Sequence, residues 1–203
     1  EGWMKIGEAY DFAEGYFKGG YGVEAGQVDE KLFKEKGVAH GKVCLVDNVV
    51  HRRQIIFVKP GFWVLRDTIT GPGEHEAEQI WHYYDGELTL DPTGRYMVTS
   101  FPDANLILAT FGENKVEAQI YHGSEDPIRG WHCPYYDIKR PAPEGSYRQR
   151  GKEKIVFHTL IFPVQGQPQQ LPEFIVTEDG YLVTYAGRSW VIAAPEEGAW
   201  KLR

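Results

Sequence analysis

Apolar and polar positions alternate with period two along most of this chain, and the helical three-to-four spacing is scarce. The clearest stretch, VVHRRQIIFVKPGFWVLRDTITG, runs from Val49 to Gly71. It predicts two antiparallel strands, Val43–Val58 and Phe62–Thr70, joined at Lys59-Pro60-Gly61. Further strands are predicted over 6–17, 76–84, 95–101, 105–111, 116–121 and 154–162. The tail FIVTEDGYLVTYAGRSWVIAA predicts a meander with turns at Glu178-Asp179-Gly180 and Ala186-Gly187-Arg188, where glycine supplies the positive φ of a tight hairpin. A tight turn is expected at Gly71-Pro72-Gly73-Glu74, and a long polar, basic surface loop over Asp137–Gly151. The only candidate helix is short, Asp29–Lys36, capped by Asp29 and ended by Gly37.

Many short strands separated by glycine and proline predict an all-β fold, an antiparallel β-sandwich with at most one short helix. The 203 residues fit a single domain spanning the whole chain, large enough to bury its own core. No repeat, low-complexity tract or linker divides it.

The Val49–Gly71 hairpin carries an unexpected cluster at its open end. A three-residue loop at Lys59–Gly61 pairs Val58 with Phe62, which sets His51 opposite Ile69 and Arg53 opposite Asp67. His51, Arg53, Asp67 and Ile69 then share one face, with Ile55, Phe57, Trp63 and Leu65 further along it. A two-residue turn would break this grouping. An imidazole and a carboxylate side by side are two ligands for a metal such as zinc, and a third would come from His82, His75 or His122, in that order of preference. The competing reading is an ion-pair cluster, Asp67 with Arg53 or Arg52 and His51 hydrogen-bonded. Spacing alone favours that reading, because strand-borne His and Asp have no diagnostic interval.

Composition narrows the partners. A formal net charge of -7 argues against bulk binding to nucleic acid or an anionic membrane, although a local basic patch for an anionic ligand remains open. No apolar run reaches membrane-spanning length. Six tryptophans and twelve tyrosines provide faces for stacking on sugar rings as well as for core packing. Cys44 and Cys133 can pair or remain free thiols. The opening EGWMKIGEAYDF has no signal-peptide pattern and no initiator methionine, which suggests a processed or trimmed product. Gly71-Pro72-Gly73 reads as a turn and not as a nucleotide loop, since no helix follows it.

HRRQIIFVKPGFWVLRD, followed by a glycine-rich turn and HEAEQIWHYY, resembles the C-terminal β-domain of the heparinase II/III-like polysaccharide lyases. So do RGWHCPYYDIKRPAP (Arg129–Pro143), HTLIFP (His158–Pro163) and the upstream YDFAEGYFKGGYG (Tyr10–Gly22), in the same order as in the family. The resemblance implies a β-sandwich that follows a large α-helical toroid and lines the cleft of a lyase that cleaves uronate-containing polysaccharides by β-elimination. It implies a bound divalent metal, most commonly zinc, held by His51, Asp67 and, on a weaker match, His82. With the resemblance the metal reading of this trio is preferred to the ion-pair reading. It makes Tyr84 the candidate catalytic or sugar-contacting residue, with the alternative that one of Tyr83 and Tyr84 packs in the core and the other is exposed. Arg52, Arg53 and Arg66 become candidates for binding a substrate carboxylate or sulfate, provided that they face the cleft. Trp131 is a candidate for sugar stacking, against the alternative of a core tryptophan, and His132 and His158 are structural. A periplasmic or secreted location is implied as well.

The toroid has no room in 203 residues. The expectation is therefore an excised sandwich that lacks the usual catalytic base and is inactive alone, with an anionic polysaccharide and the missing toroid as its partners. The alternative is a stand-alone carbohydrate-binding or structural module.

Overall fold

The computed structural model describes residues 2–18, 21, 46 and 48–203. The candidate helix Asp29–Lys36 and Cys44 lie outside these residues, and no helix occurs among them. The chain forms β1 (Gly2–Ile6), β2 (Tyr10–Phe17), β3 (Val50–Val58), β4 (Phe62–His82), β5 (Glu87–Leu90), β6 (Tyr96–Ser100), β7 (Ala104–Gly112) and β8 (Val116–His122). Two small hairpins follow, β9 (Ser124–Glu125) with β10 (Ile128–Arg129), and β11 (Trp131–Tyr135) with β12 (Ile138–Pro141). The long β13 (Pro143–Gln165) precedes β14 (Glu173–Thr177), β15 (Gly180–Tyr185), β16 (Arg188–Ala193) and β17 (Lys201–Leu202).

A nine-stranded sheet has the order β1-β2-β3-β4-β13-β7-β6-β5, with β8 also paired to β13, and a separate four-stranded sheet runs β14-β15-β16-β17. Every pairing is antiparallel. The β3–β4 register is the one that alternation predicts: Val58 opposite Phe62, Arg53 opposite Asp67, His51 opposite Ile69.

The expected turn at Gly71–Glu74 does not form. β4 runs through it, because β13 pairs with both halves: Thr70 faces Lys154 and Glu74 faces Lys152. Between these pairs, three residues of β4 oppose Glu153 alone, and Glu153 and Gly73 both take positive φ. The excess length on one strand bends the pair sharply. Gln79 consequently touches Asp67, twelve residues earlier on the same strand. The expected surface loop Asp137–Gly151 is likewise strand, and Glu144, Ser146 and Gln149 in it are buried.

The bend divides the core in two. On one face of the central strands Ile56, Val58, Phe62, Val64 and Leu160 pack against Phe174, Tyr181, Val183 and Trp200 of the four-stranded sheet. On the other face Phe157, Ile155 and Ile69 meet Ala77 and Trp81 from the folded-over half of β4, with Tyr147, Met97 and Leu108. Ile and Val, stiff at χ1, and aromatics dominate both layers, as a pleated buried surface requires.

The meander turns fall where expected. Thr177 pairs with Gly180 and Tyr185 with Arg188. Gly180 has φ 149, and a Cβ there would collide with the Ile192 carbonyl. Gly180→Ala is expected to cost about 3 kcal/mol through strain and steric displacement, read as a lower urea midpoint. Unchanged stability would mean that β15 and β16 can separate freely.

Candidate functional site

β3 and β4 present His51, Arg53 and Asp67 to the space between the central sheet and the folded-over half of β4. Asp67 is 1% exposed and accepts from four directions. Arg53 donates from Nε to Oδ1 at 2.6 Å and from Nη2 to Oδ2 at 3.0 Å. Gln79 Nε2 donates to Oδ2 at 2.6 Å, and His51 Nε2 lies 2.7 Å from Oδ1. Burial favours the neutral acid, but the hydrogen bonds and charges of His51 and Arg53 outweigh it and hold the carboxyl below its usual range. The ionised carboxylate can only accept, so His51 carries its proton on Nε2. In the neutral ring Nδ1 is then an acceptor, and the Tyr21 hydroxyl donates to it at 3.0 Å. Burial, then the Asp67 charge, pushes the Tyr21 pKa up, so the phenol keeps its proton. Tyr21 is positioned by a two-hydrogen-bond bridge to Val46.

A cavity of about 400 Å³ opens beside this chain of groups. Tyr21, His51, Arg53 and Asp67 form its polar side, and Ile69, Trp81 and Phe157 its apolar side.

The other predicted residues are dispersed. His82, at the end of β4, is exposed and lies 3.6 Å from Glu144, not beside Asp67. His75 sits at the bend, 2.9 Å from the Pro72 carbonyl, and lines the same cavity. His122 is exposed at the end of β8. Arg52 and Arg66 project from the opposite face: Arg52 donates to Glu14 at 2.6 Å, and Arg66 to Gln54 and to the carbonyls of Ala194 and Pro195. Tyr83 is half-buried with its hydroxyl enclosed, and Tyr84 is exposed edge-on to His132. Trp131 is half-buried outside both cores, donates to the Ser124 carbonyl at 2.8 Å, and lies under Lys139. His158 is buried against the Tyr181 hydroxyl at 2.9 Å.

The residues expected to hold a metal do not fit one in this arrangement. His51, Asp67 and His82 are not brought together, and Arg53 and Gln79 occupy the acceptor positions of Asp67 that a cation would need. Among the described residues, no three His, Cys, Asp or Glu side chains are grouped to hold a metal. A bidentate guanidinium stands where a cation was expected.

A family model described as "Heparinase II/III-like, C-terminal" matches residues 12–187. The chain belongs to this family. No curated protein matches it. Among solved structures, the heparan sulfate lyase HepC from Pedobacter heparinus is similar, with a TM-score of 0.69, 14% identity, and 98% of this chain covered against 28% of that one. A structure titled Heparinase III gives a TM-score of 0.63 at 18% identity, covering 93% of this chain and 26% of that one. The Heparinase III-BT4657 gene product gives 0.62 at 17%, covering 93% and 27%. At these identities the likeness is one of fold, and the chain spans about a quarter of the length of those proteins. The heparinase II/III-like sandwich is therefore the frame that holds the Tyr21–His51–Asp67 chain.

Sequence reading missed Tyr21 and Gln79. Gln79 carried a faint signal, as the one polar residue on the inward series Ala77, Gln79, Trp81. Tyr21 carried none, because its partner lies thirty residues away.

Proposed function

We propose that this chain is the C-terminal sandwich of a lyase that cleaves uronate-containing polysaccharides by β-elimination, and that the cavity beside His51 forms one side of its cleft. The observation that carries this is the Tyr21–His51–Asp67 chain opening, with Arg53, into a cavity of about 400 Å³. In β-elimination the C5 proton leaves, the C4–O bond breaks, a C4=C5 double bond forms, and the departing oxygen takes up a proton. Arg53 engages Asp67 through Nε and Nη2, which leaves Nη1 for a uronate carboxylate. Tyr21, kept protonated, turns its hydroxyl hydrogen from His51 Nδ1 to the departing oxygen, and the His51–Asp67 pair holds the phenol in place for that donation. Tyr21 takes this role in place of Tyr84, which stands exposed and apart from His51, Arg53 and Asp67. The base at C5 and the opposing wall belong, in this reading, to a helical toroid domain beyond these residues, and the chain alone does not turn over substrate. The Asp67 charge is already compensated by Arg53.

The test is ultraviolet detection of unsaturated product from a panel of uronate polysaccharides. The chain alone is expected to give none. Product would mean that it carries its own base and would overturn the supporting role. In a lyase that joins this sandwich to its helical domain, Tyr21→Phe is expected to lower kcat about 100-fold with little change in KM. An unchanged kcat would remove Tyr21 from the chemistry.

A further inference from the structure

The sheet face turned away from His51 carries a second cluster. Strand pairing sets Val50, Thr70 and Lys154 in one row, Arg52, Thr68 and Val156 in the next, and Gln54, Arg66 and His158 in a third. Three cations thus stand on three adjacent strands around a cavity of about 350 Å³, whose lining also includes Glu196 and Glu113, while Arg52 is paired with Glu14 behind it.

Arg66 is the distinctive member. It is half-buried, and its acceptors are all neutral: Gln54 Oε1 at 2.7 and 2.9 Å, the Ala194 carbonyl at 3.1 Å and the Pro195 carbonyl at 2.6 Å. Among the described residues, no carboxylate lies within ion-pair distance of its guanidinium. A half-buried cation without an ion-pair partner raises the local potential, and its neighbours respond. His158 is pushed down to about 4 by burial and by the charges of Arg66 and Lys154. The Glu196 carboxyl, 3.2 Å from Lys154 and largely exposed, is held below its usual range by Lys154 first and by Arg66 and Arg52 as well. One rim carboxylate thus senses all three cations.

We propose that this cavity binds a small oxyanion, a sulfate or a carboxylate group, at Arg66, Lys154 and Arg52, and that Glu196 is a built-in competitor for the same place. The Thr68 and Thr70 hydroxyls on the cavity wall supply further donors. The site lies on the face opposite the proposed cleft and does not rest on the lyase reading.

The competitor gives the test two opposite signs. The 203-residue chain is titrated with sodium sulfate and with sodium glucuronate at constant ionic strength, with glucose as the neutral control, and the His158 imidazole resonance is followed by NMR. Saturable shifts with at least one anion and none with glucose are expected. A response to sulfate alone assigns the site to sulfo groups, and a response to glucuronate alone assigns it to sugar carboxylates. Glu196→Gln is expected to tighten binding about fivefold and Lys154→Gln to weaken it about fivefold, each an exposed charge contribution of the usual size. Both side chains are exposed enough for the fold to tolerate the change. No saturable shift with either anion, or an affinity that neither substitution moves, overturns the proposal.

Discussion

Asp67→Ala is expected to destabilise the chain by about 3 kcal/mol, the upper end of the cost of leaving buried donors without an acceptor, because Gln79 is buried whereas the Arg53 side chain is 46% exposed and can turn to water. The loss has a specific origin. Asp67 is fully enclosed, and its two oxygens satisfy Arg53 twice, Gln79 once and His51 once. Alanine leaves these donors facing a cavity, each deprived of its acceptor. It also removes one of the links between the central sheet and the folded-over half of β4, since Gln79 reaches across that interface to Asp67 as well as to Thr159. Glu117→Ala serves as the contrast. Glu117 meets Lys115 at 3.1 Å with both side chains exposed, and no measurable change is expected. The pH dependence has a definite sign. The folded-state pKa of Asp67 lies below the usual 3.8, so its stabilisation is complete above that value and is lost as pH falls through the lower folded value. Urea midpoints for the two variants decide the matter. Equal, small losses would mean that the cluster is ordinary surface charge.

The hairpin that contains Asp67 was legible because two local rules agree. Period-two alternation assigns faces, and a three-residue loop allows one register. Adjacent Arg52 and Arg53 must then point to opposite faces, as must Arg66 and Asp67. Arg53 therefore shares the cavity with His51, while Arg52 and Arg66 serve the other side. The bend in β4 was not legible. Gly71-Pro72-Gly73 suits a hairpin turn and a wide bulge equally, and what decides between them is β13, which pairs with both halves from some eighty residues away. Counting from a tight turn leaves His82 some residues away from Asp67, so that its choice as a ligand needs a bulge or a wider loop; the bulge that forms brings Gln79 to Asp67 instead.

Buried polar residues account for the other misreading. Glu144 and Ser146 read as loop because isolated polar groups are costly to bury. Here they are not isolated. Arg129 donates to Glu144 and to Glu78, and Ser146 donates to Glu78. The network joins β4, β10 and β13, and only their juxtaposition makes it affordable. Such a strand has no local signature, because each partner is supplied from another part of the chain.

Acid is expected to unfold the chain in two stages, and the first belongs to His158. Its folded pKa is pushed down to about 4 by burial, reinforced by Arg66 and Lys154, against about 6.5 in the unfolded chain. Between those values the unfolded state binds the proton and the folded state resists it. Stability therefore declines as pH falls from about 6.5 to 4, by about 3 kcal/mol in all. Asp67 acts only below that window, so the two contributions separate on the pH axis. His158→Gln keeps a hydrogen-bonding group near the Tyr181 hydroxyl and removes the titration. Urea midpoints at pH 7, 5.5 and 4.5 should fall steeply for the native chain and much less for the variant. Parallel slopes would show that His158 takes up its proton without resistance, and would remove the positive field that the Arg66 cavity is argued to hold.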